Sequence, residues 1–490
     1  MAPSVQKQIR EAHQVLSTTL ENRQTSIPAL AEAYGGLGKL LTAADYPDAA
    51  APCFLNARML AIDDYRWPYY LAHYYRKRGE LDKASAFFTR ALALRPDDVA
   101  ALVWMGDVAL AQGRADEAEP RFAQALAIEP ASLSARFGLG RAALARQDYR
   151  RAAEYLEDVL KRDPEAAGAH YPLGLAYRGL GDAKKAEAQL RQRKNRDILP
   201  ADPLIVDLGE LLDSPQAYES RGIRALNARQ WPQAAELFRK GLDLAPDSAA
   251  LRHRLGTVMF MMGDPAGART QFEEAVRVSP DYFLAQYSLG VMLQDTGRHA
   301  EAIERFAAAL RARPSYTEAR LRLATSLRRV DRAKEALSHY EQVLAGDANQ
   351  TEARFGRAMT LVQLGRDQEA RDRLVADVKA FPDQSLFAHG LARLLAAASD
   401  DRVRDGDRAI ALMGALLAKE QRTLDLGETM AMALAAATRY EDAARLQRDL
   451  VRGAEQSGLR QIVPRLAANL DLYERRQPCR TPWPAGEIPP

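Results

Sequence analysis

Tyr287-Ser288-Leu289-Gly290 is followed at fixed distances by Ala302, Phe306, Ala309 and Pro314, and the same arrangement recurs along the chain. Prolines 96, 130 and 164, and again 246, 280 and 314, stand 34 residues apart within each set. Aligned on them, the eighth position is small (Ala72, Gly106, Gly140, Gly174, Gly222, Gly256, Gly290, Ala324, Ala358). The twentieth is Ala at 84, 118, 152, 186, 234, 268, 302, 336 and 370. The twenty-fourth is large and apolar (Phe88, Phe122, Leu156, Leu190, Phe238, Phe272, Phe306, Tyr340, Leu374). Small residues at two fixed places let two helices approach closely, while the large side chain fills the space between successive pairs. Each unit is therefore expected to be a helical hairpin, ended by proline, with the Asp of pairs such as Pro96-Asp97 and Pro280-Asp281 capping the next helix.

This pattern resembles the tetratricopeptide repeat (TPR). Units begin at 31, 65, 99, 133, 167, 215, 249, 283, 317, 351, 385 and 424, twelve in all. The resemblance implies an all-α fold, an α-solenoid (right-handed superhelix) of about twelve TPR hairpins with N- and C-terminal capping helices.

Helical stripes outside the repeats supply the caps: Val5, Ile9, Ala12, Leu16 and Leu20 at one end, and Leu459, Ile462, Val463, Leu466, Leu470 and Tyr473 at the other. The expected organisation is a capping helix over 1–30, a first sub-array of five hairpins over 31–192, an insertion with a linker helix over 193–214, a second sub-array of seven hairpins over 215–457, a capping helix over 458–476 and a Pro-rich tail over 477–490. Two breaks interrupt the register, 14 extra residues between the units at 167 and 215 and five between those at 385 and 424. The smaller falls in a hairpin loop, 399–406, and should bulge outward. The larger has a basic start, Arg191 to Asp197, then Pro200 and Pro203, then an apolar stripe of Leu204, Ile205, Leu208, Leu211 and Leu212. It reads as a spacer helix plugging the joint between two stacks, with a hinge or a separate docking element as the alternatives.

At 490 residues, a prior of about 150 residues per domain would suggest three domains, and the repeat replaces that with one stack of hairpins. With 68 basic and 65 acidic side chains the net charge is +3, which makes no electrostatic case for nucleic acid or a membrane surface as the main partner. Only 12 of the basic residues are Lys, and Ala abounds, as in GC-rich bacterial coding. Two cysteines, Cys53 and Cys479, exclude a disulfide framework and a paired-cysteine zinc site. No apolar run reaches the length of a transmembrane segment, and the N-terminus is polar where a signal peptide is apolar. The chain as written reads as cytoplasmic, or periplasmic if a leader has been removed.

Chemistry is not signalled. None of the seven histidines forms a metal-binding spacing, and no phosphate loop, nucleophile elbow or kinase signature occurs. Gly36-Leu37-Gly38 and Gly138-Leu139-Gly140 fall at packing positions of the repeat. The expectation is a non-enzyme with no catalytic, cofactor or metal site.

What remains is surface. By resemblance, the first helix of each hairpin (helix A) lines a concave groove through its second, fifth, ninth, twelfth and thirteenth positions. Helix A of the second unit concentrates five aromatic residues in Trp67-Pro68-Tyr69-Tyr70-Leu71-Ala72-His73-Tyr74-Tyr75, followed by Arg76 and Lys77. Tyr69, Tyr70, His73, Arg76 and Lys77 are the leading groove candidates, joined by Asp107, Phe137, Arg141, Tyr171, Arg178, His253, Tyr287, Arg328 and Phe355. Rings interleaved with guanidinium groups suit a protein partner or extended peptide. The Lys and Asn carboxylate clamp of chaperone-binding TPRs is absent, with Tyr69, His73 and Trp104 in its place. The functional expectation is a non-catalytic interaction scaffold or adaptor. The alternatives are a regulatory receptor for a short peptide or small ligand, and a TPR subunit of a protein-modifying enzyme such as a glycosyltransferase complex.

Overall fold

The structure, a computed structural model, describes residues 2–192, 197–421 and 423–483. The basic run at 193–196, Arg422 and the end of the Pro-rich tail from 484 lie outside the described residues. Among those described there are 27 α-helices, one short 3-10 turn and no strand. They form two compact units, Met1–Ala245 and Pro246–Pro490, a boundary one hairpin beyond the insertion.

The first unit opens with α1 (Pro3–Glu21). Five hairpins follow: α2 (Ile27–Ala43) with α3 (Pro47–Leu60), α4 (Arg66–Lys77) with α5 (Leu81–Leu94), α6 (Val99–Ala111) with α7 (Ala115–Ile128), α8 (Leu133–Ala145) with α9 (Tyr149–Arg162), and α10 (His170–Gly179) with α11 (Ala183–Arg191). The inserted α12 (Pro203–Glu210) precedes a sixth pair, α13 (Pro215–Asn227) and α14 (Trp231–Leu244).

The second unit holds six more pairs. They are α15 (Ala249–Met261) and α16 (Pro265–Val278), α17 (Phe283–Asp295) and α18 (His299–Ala312), α19 (Thr317–Arg329) and α20 (Ala333–Gly346). Then come α21 (Thr351–Gln363) and α22 (Asp367–Ala380), α23 (Ser385–Ala397) and α24 (Gly406–Leu417), α25 (Leu424–Ala436) and α26 (Tyr440–Gln456), closed by α27 (Val463–Glu474).

The repeat positions do what their size dictates. Phe306 is fully buried against Gly290, where a Cβ would come within 2.6 Å of the ring. Phe122 is gripped by glycines of two successive hairpins, Gly106 and Gly138, so one ring both closes its own hairpin and docks the next. Helix B stops where proline forbids the preceding residue an α conformation: Arg95, before Pro96, sits at φ −139°, ψ 85°. The Asp of the Pro-Asp pairs does not itself cap the next helix. The cap is the residue after that Asp, Asp98 for α6 and Ser248 for α15, while Tyr282 at the same place before α17 supplies no side-chain cap.

Eleven of the twelve turns from helix A to helix B place their fifteenth residue at positive φ, as with Gly297 (φ 74°) and Arg229 (φ 58°), the exception being the longer loop that begins at Ser399. The loop at 399–406 does not simply bulge, because Val403 folds back into the core.

Candidate functional site

The inserted segment sets the geometry of the first unit. It runs back along the face made by helices A of the unit's own hairpins, and its end is held to α13, where Arg221 donates to the Leu212 carbonyl at 2.5 Å. Ile198 packs on the cluster formed by α8, α9 and α10. From there side chains alternate, Leu199 and Ala201 exposed, Pro200 and Asp202 buried, as an extended chain on a surface requires. Asp202 then caps α12, its Oδ1 accepting from the Ile205 N–H at 3.1 Å. Leu204, Ile205 and Leu208 pack onto the cluster that contains Phe54, Trp67 and Tyr70, and α12 lies against α2. At the far end Gln8 of α1 donates to the Leu211 carbonyl (3.0 Å) and accepts from Asp213 N–H (2.9 Å). The segment thus passes helices A in descending order.

Its polar anchor is Asp202, only 7% exposed. Oδ2 accepts from the Tyr69 hydroxyl at 2.5 Å and from Trp104 Nε1 at 2.8 Å, and His73 Nε2 stands 3.6 Å away. Burial, reinforced by Arg76 and Lys77, holds the His73 imidazole down at about 3, so the ring is neutral at physiological pH. Burial and then the Asp202 charge raise the Tyr69 phenol well above its usual range, which keeps it a donor. The Arg76 guanidinium lies 4.2 Å above the Trp104 ring. Its Nε is buried without a hydrogen-bond partner, and burial lowers its affinity for the proton. Asp107, a carboxylate on the same face, is engaged by Arg141 at 2.7 Å.

Tetratricopeptide-repeat family models match residues 71–99, 97–165, 137–197, 254–317 and 327–394, together more than half of the chain. The chain belongs to the tetratricopeptide-repeat family. No curated protein matches the sequence. Among solved structures, MamA from Desulfovibrio magneticus RS-1 (residue 41 to the end) is similar over 33% of this chain and 92% of its own, at 22% identity and TM-score 0.32. The TPR domain of P58(IPK) is similar over 77% of this chain and 99% of its own, at 18% identity and TM-score 0.23. YrrB, described as a TPR protein with an unusual peptide-binding site, is similar over 41% of this chain and 96% of its own, at 19% identity and TM-score 0.20.

Among the candidates in this TPR chain, Tyr69, Tyr70, His73 and Arg76 come together around the inserted segment, and Tyr70 donates to the Leu204 carbonyl at 3.4 Å. Lys77 is exposed beyond them. Arg141, paired with Asp107, lies over the Phe137 ring at 5.5 Å. Tyr171 and Arg178 are exposed and line an open depression with Leu175 and Leu190.

In the second unit His253 contacts Ser288 Oγ at 3.1 Å and packs beside Phe272 and Tyr282. Tyr287 lies against Phe306 and Tyr316, Arg328 is buried, and Phe355 belongs to the core beside Phe387. These residues do not converge on one site.

Two features escaped the sequence reading. One is Asp202, whose signal was an Asp-Pro pair opening an apolar stripe. The other is a buried ionic cluster in the last TPR hairpins. Arg393 binds Glu428 (3.0 Å), Asp425 (2.8 Å) and the Pro482 carbonyl (2.6 Å), and Arg465 (3.2 Å) and Asn469 (3.1 Å) also hold Glu428. The clue was Glu428 at the fifth position of a largely apolar helix A. Here too a segment outside the hairpins lies on helix A, with Cys479 buried and Trp483 packed on the core.

Among the described residues no helix is long and apolar enough to cross a membrane, and no group of His, Cys, Asp or Glu is placed to hold a metal ion.

Proposed function

We propose that the protein is a non-catalytic interaction scaffold that holds peptide segments of partner proteins on the faces lined by its helices A. The observation that carries this reading is the seating of residues 197–213 in the first unit. That segment uses the means by which a groove recognises a peptide: alternate side chains of an extended stretch, one buried polar anchor, and the apolar face of a short helix. The face continues past the segment to Tyr171 and Arg178, where an aromatic ring, an aliphatic floor and a guanidinium group remain open to solvent.

The test is site-specific photocrosslinking from a photoreactive residue at position 171 of the full chain in its native host. A discrete protein adduct that is lost on Arg178→Glu, with melting unchanged, is the expected result. Adducts from control positions on helix B but none from 171 would overturn the reading.

A further inference from the structure

Connecting α11 to α13 does not require a buried carboxylate. Removing an ionised group from water is unfavourable unless donors are already placed to meet it. The donors that meet Asp202 are Tyr69 on α4 and Trp104 on α6, side chains of two different hairpins. They belong to the repeat surface and form a ready-made carboxylate site to which the insertion is fitted.

The fit is incomplete. Leu199 and Val206 point to solvent at 59% and 56% exposure, so two of the segment's apolar side chains gain little from docking. The docked helix is one of eight residues and contains Gly209, both weak features for a helix that must hold itself together. Beside the anchor, the Arg76 Nε is buried with no acceptor, and among the described residues no carboxylate lies within ion-pairing distance of this guanidinium. Asp107 and Asp202 act on this guanidinium only at longer range, so the site leaves room for a partner carboxylate to pair with it directly.

We infer that the first unit's groove is a binding site for an acidic, aliphatic segment of a partner protein, and that residues 197–213 are a resident occupant which such a segment displaces. This rests on the scaffold reading above and names the ligand class of that surface. The partner segment carries a carboxylate that caps a short helix, Leu or Ile on the helix face turned to α2 and α4, and a further carboxylate within reach of Arg76. Because the resident segment is tethered, it competes at an effective concentration on the order of millimolar. A partner must bind the groove better than a free copy of the segment does, and its apparent affinity is scaled down by the fraction of open groove.

The experiment uses the full chain and a fluorescent synthetic peptide with the sequence of residues 197–213. The wild type is compared with Asp202→Ala/Leu208→Ser, whose changes lie in the resident segment and leave the groove wall intact. The double variant should bind the peptide about tenfold or more tightly than wild type, and adding Trp104→Phe should return binding to the wild-type level. Equal, weak binding by both proteins with helicity retained would overturn the inference.

Should the double variant unfold, hydrogen exchange on the wild type decides. Faster exchange at 204–210 with excess peptide supports displacement, and unchanged exchange refutes it. Crosslinking from position 171 reads the scaffold function separately: adducts that persist while the peptide fails to bind would remove only the displaceable occupant.

Discussion

The Tyr69 hydroxyl donates a 2.5 Å hydrogen bond to Asp202, 133 positions later in the chain. Tyr69 is the residue that a groove reading would leave open for a partner, and the protein has covered it with its own insertion. Replacing Tyr69 by Phe or Asp202 by Ala should each destabilise the first unit by about 1–3 kcal/mol, since each strands a buried polar partner. The double variant should lose less than the sum, by about 0.5 kcal/mol or more. Urea unfolding followed by tryptophan fluorescence measures all three, and strict additivity would mean that the bond is energetically idle.

Glycines that look alike in sequence should separate in melting experiments. A Cβ on Gly138 would stand 2.3 Å from the Phe122 ring, so Gly138→Ala should cost about 1–3 kcal/mol. Gly36 meets nothing within 4 Å, and Gly36→Ala inside α2 should stabilise by roughly 0.5–1 kcal/mol.

The turns offer a test of backbone strain. Arg229 occupies a left-handed conformation (φ 58°) where Gly297 stands in another hairpin (φ 74°). Arg229→Gly should raise stability by about 1 kcal/mol, and Gly297→Ala should lower it by a similar amount. Differential scanning calorimetry should show melting shifts of opposite sign.

In the second unit Arg393 and Glu428 are both buried, and removing one strands the other. Arg393→Met should cost about 3 kcal/mol, moderated by Arg465, which also holds Glu428. Arg393→Met/Glu428→Met should recover much of that loss, as guanidinium-chloride midpoints will show.

Acid should weaken the second unit through His253. Burial, then Arg254, depresses its ring to about 4 from an ordinary value of 6.5. Between those pH values the unfolded chain binds the proton and the folded one does not, so stability rises with pH there. The contribution is complete above 6.5 and declines as pH falls toward 4. Denaturation midpoints at neutral and acid pH should differ less in His253→Gln than in wild type. His73, at about 3, adds a dependence of the same sign in the first unit.

The hairpins were readable because their contacts are local and periodic. Ala302 and Phe306 lie within reach of Gly290 whatever the rest of the chain does, so the repeat spelled out helix pairing, packing positions and the proline stops. The strained fifteenth position is also visible in the sequence, as Gly79, Gly113, Gly181, Gly263, Gly297 and Gly365. The site was only partly readable. Tyr69, Tyr70, His73 and Arg76 stand out by their crowding in one helix, but Phe355 shares the repeat position of Tyr69 and both are buried in hydrophobic clusters, Tyr69 beneath the inserted segment and Phe355 beside Phe387.

By itself, then, the sequence determined the all-α TPR hairpins and where they start and stop, since those follow from contacts a few dozen residues apart. Tertiary structure alone decided where residues 197–213 go. An apolar stripe with a capping aspartate fits many surfaces, and it is the donors Tyr69 and Trp104, with Gln8 waiting 203 positions away, that select one.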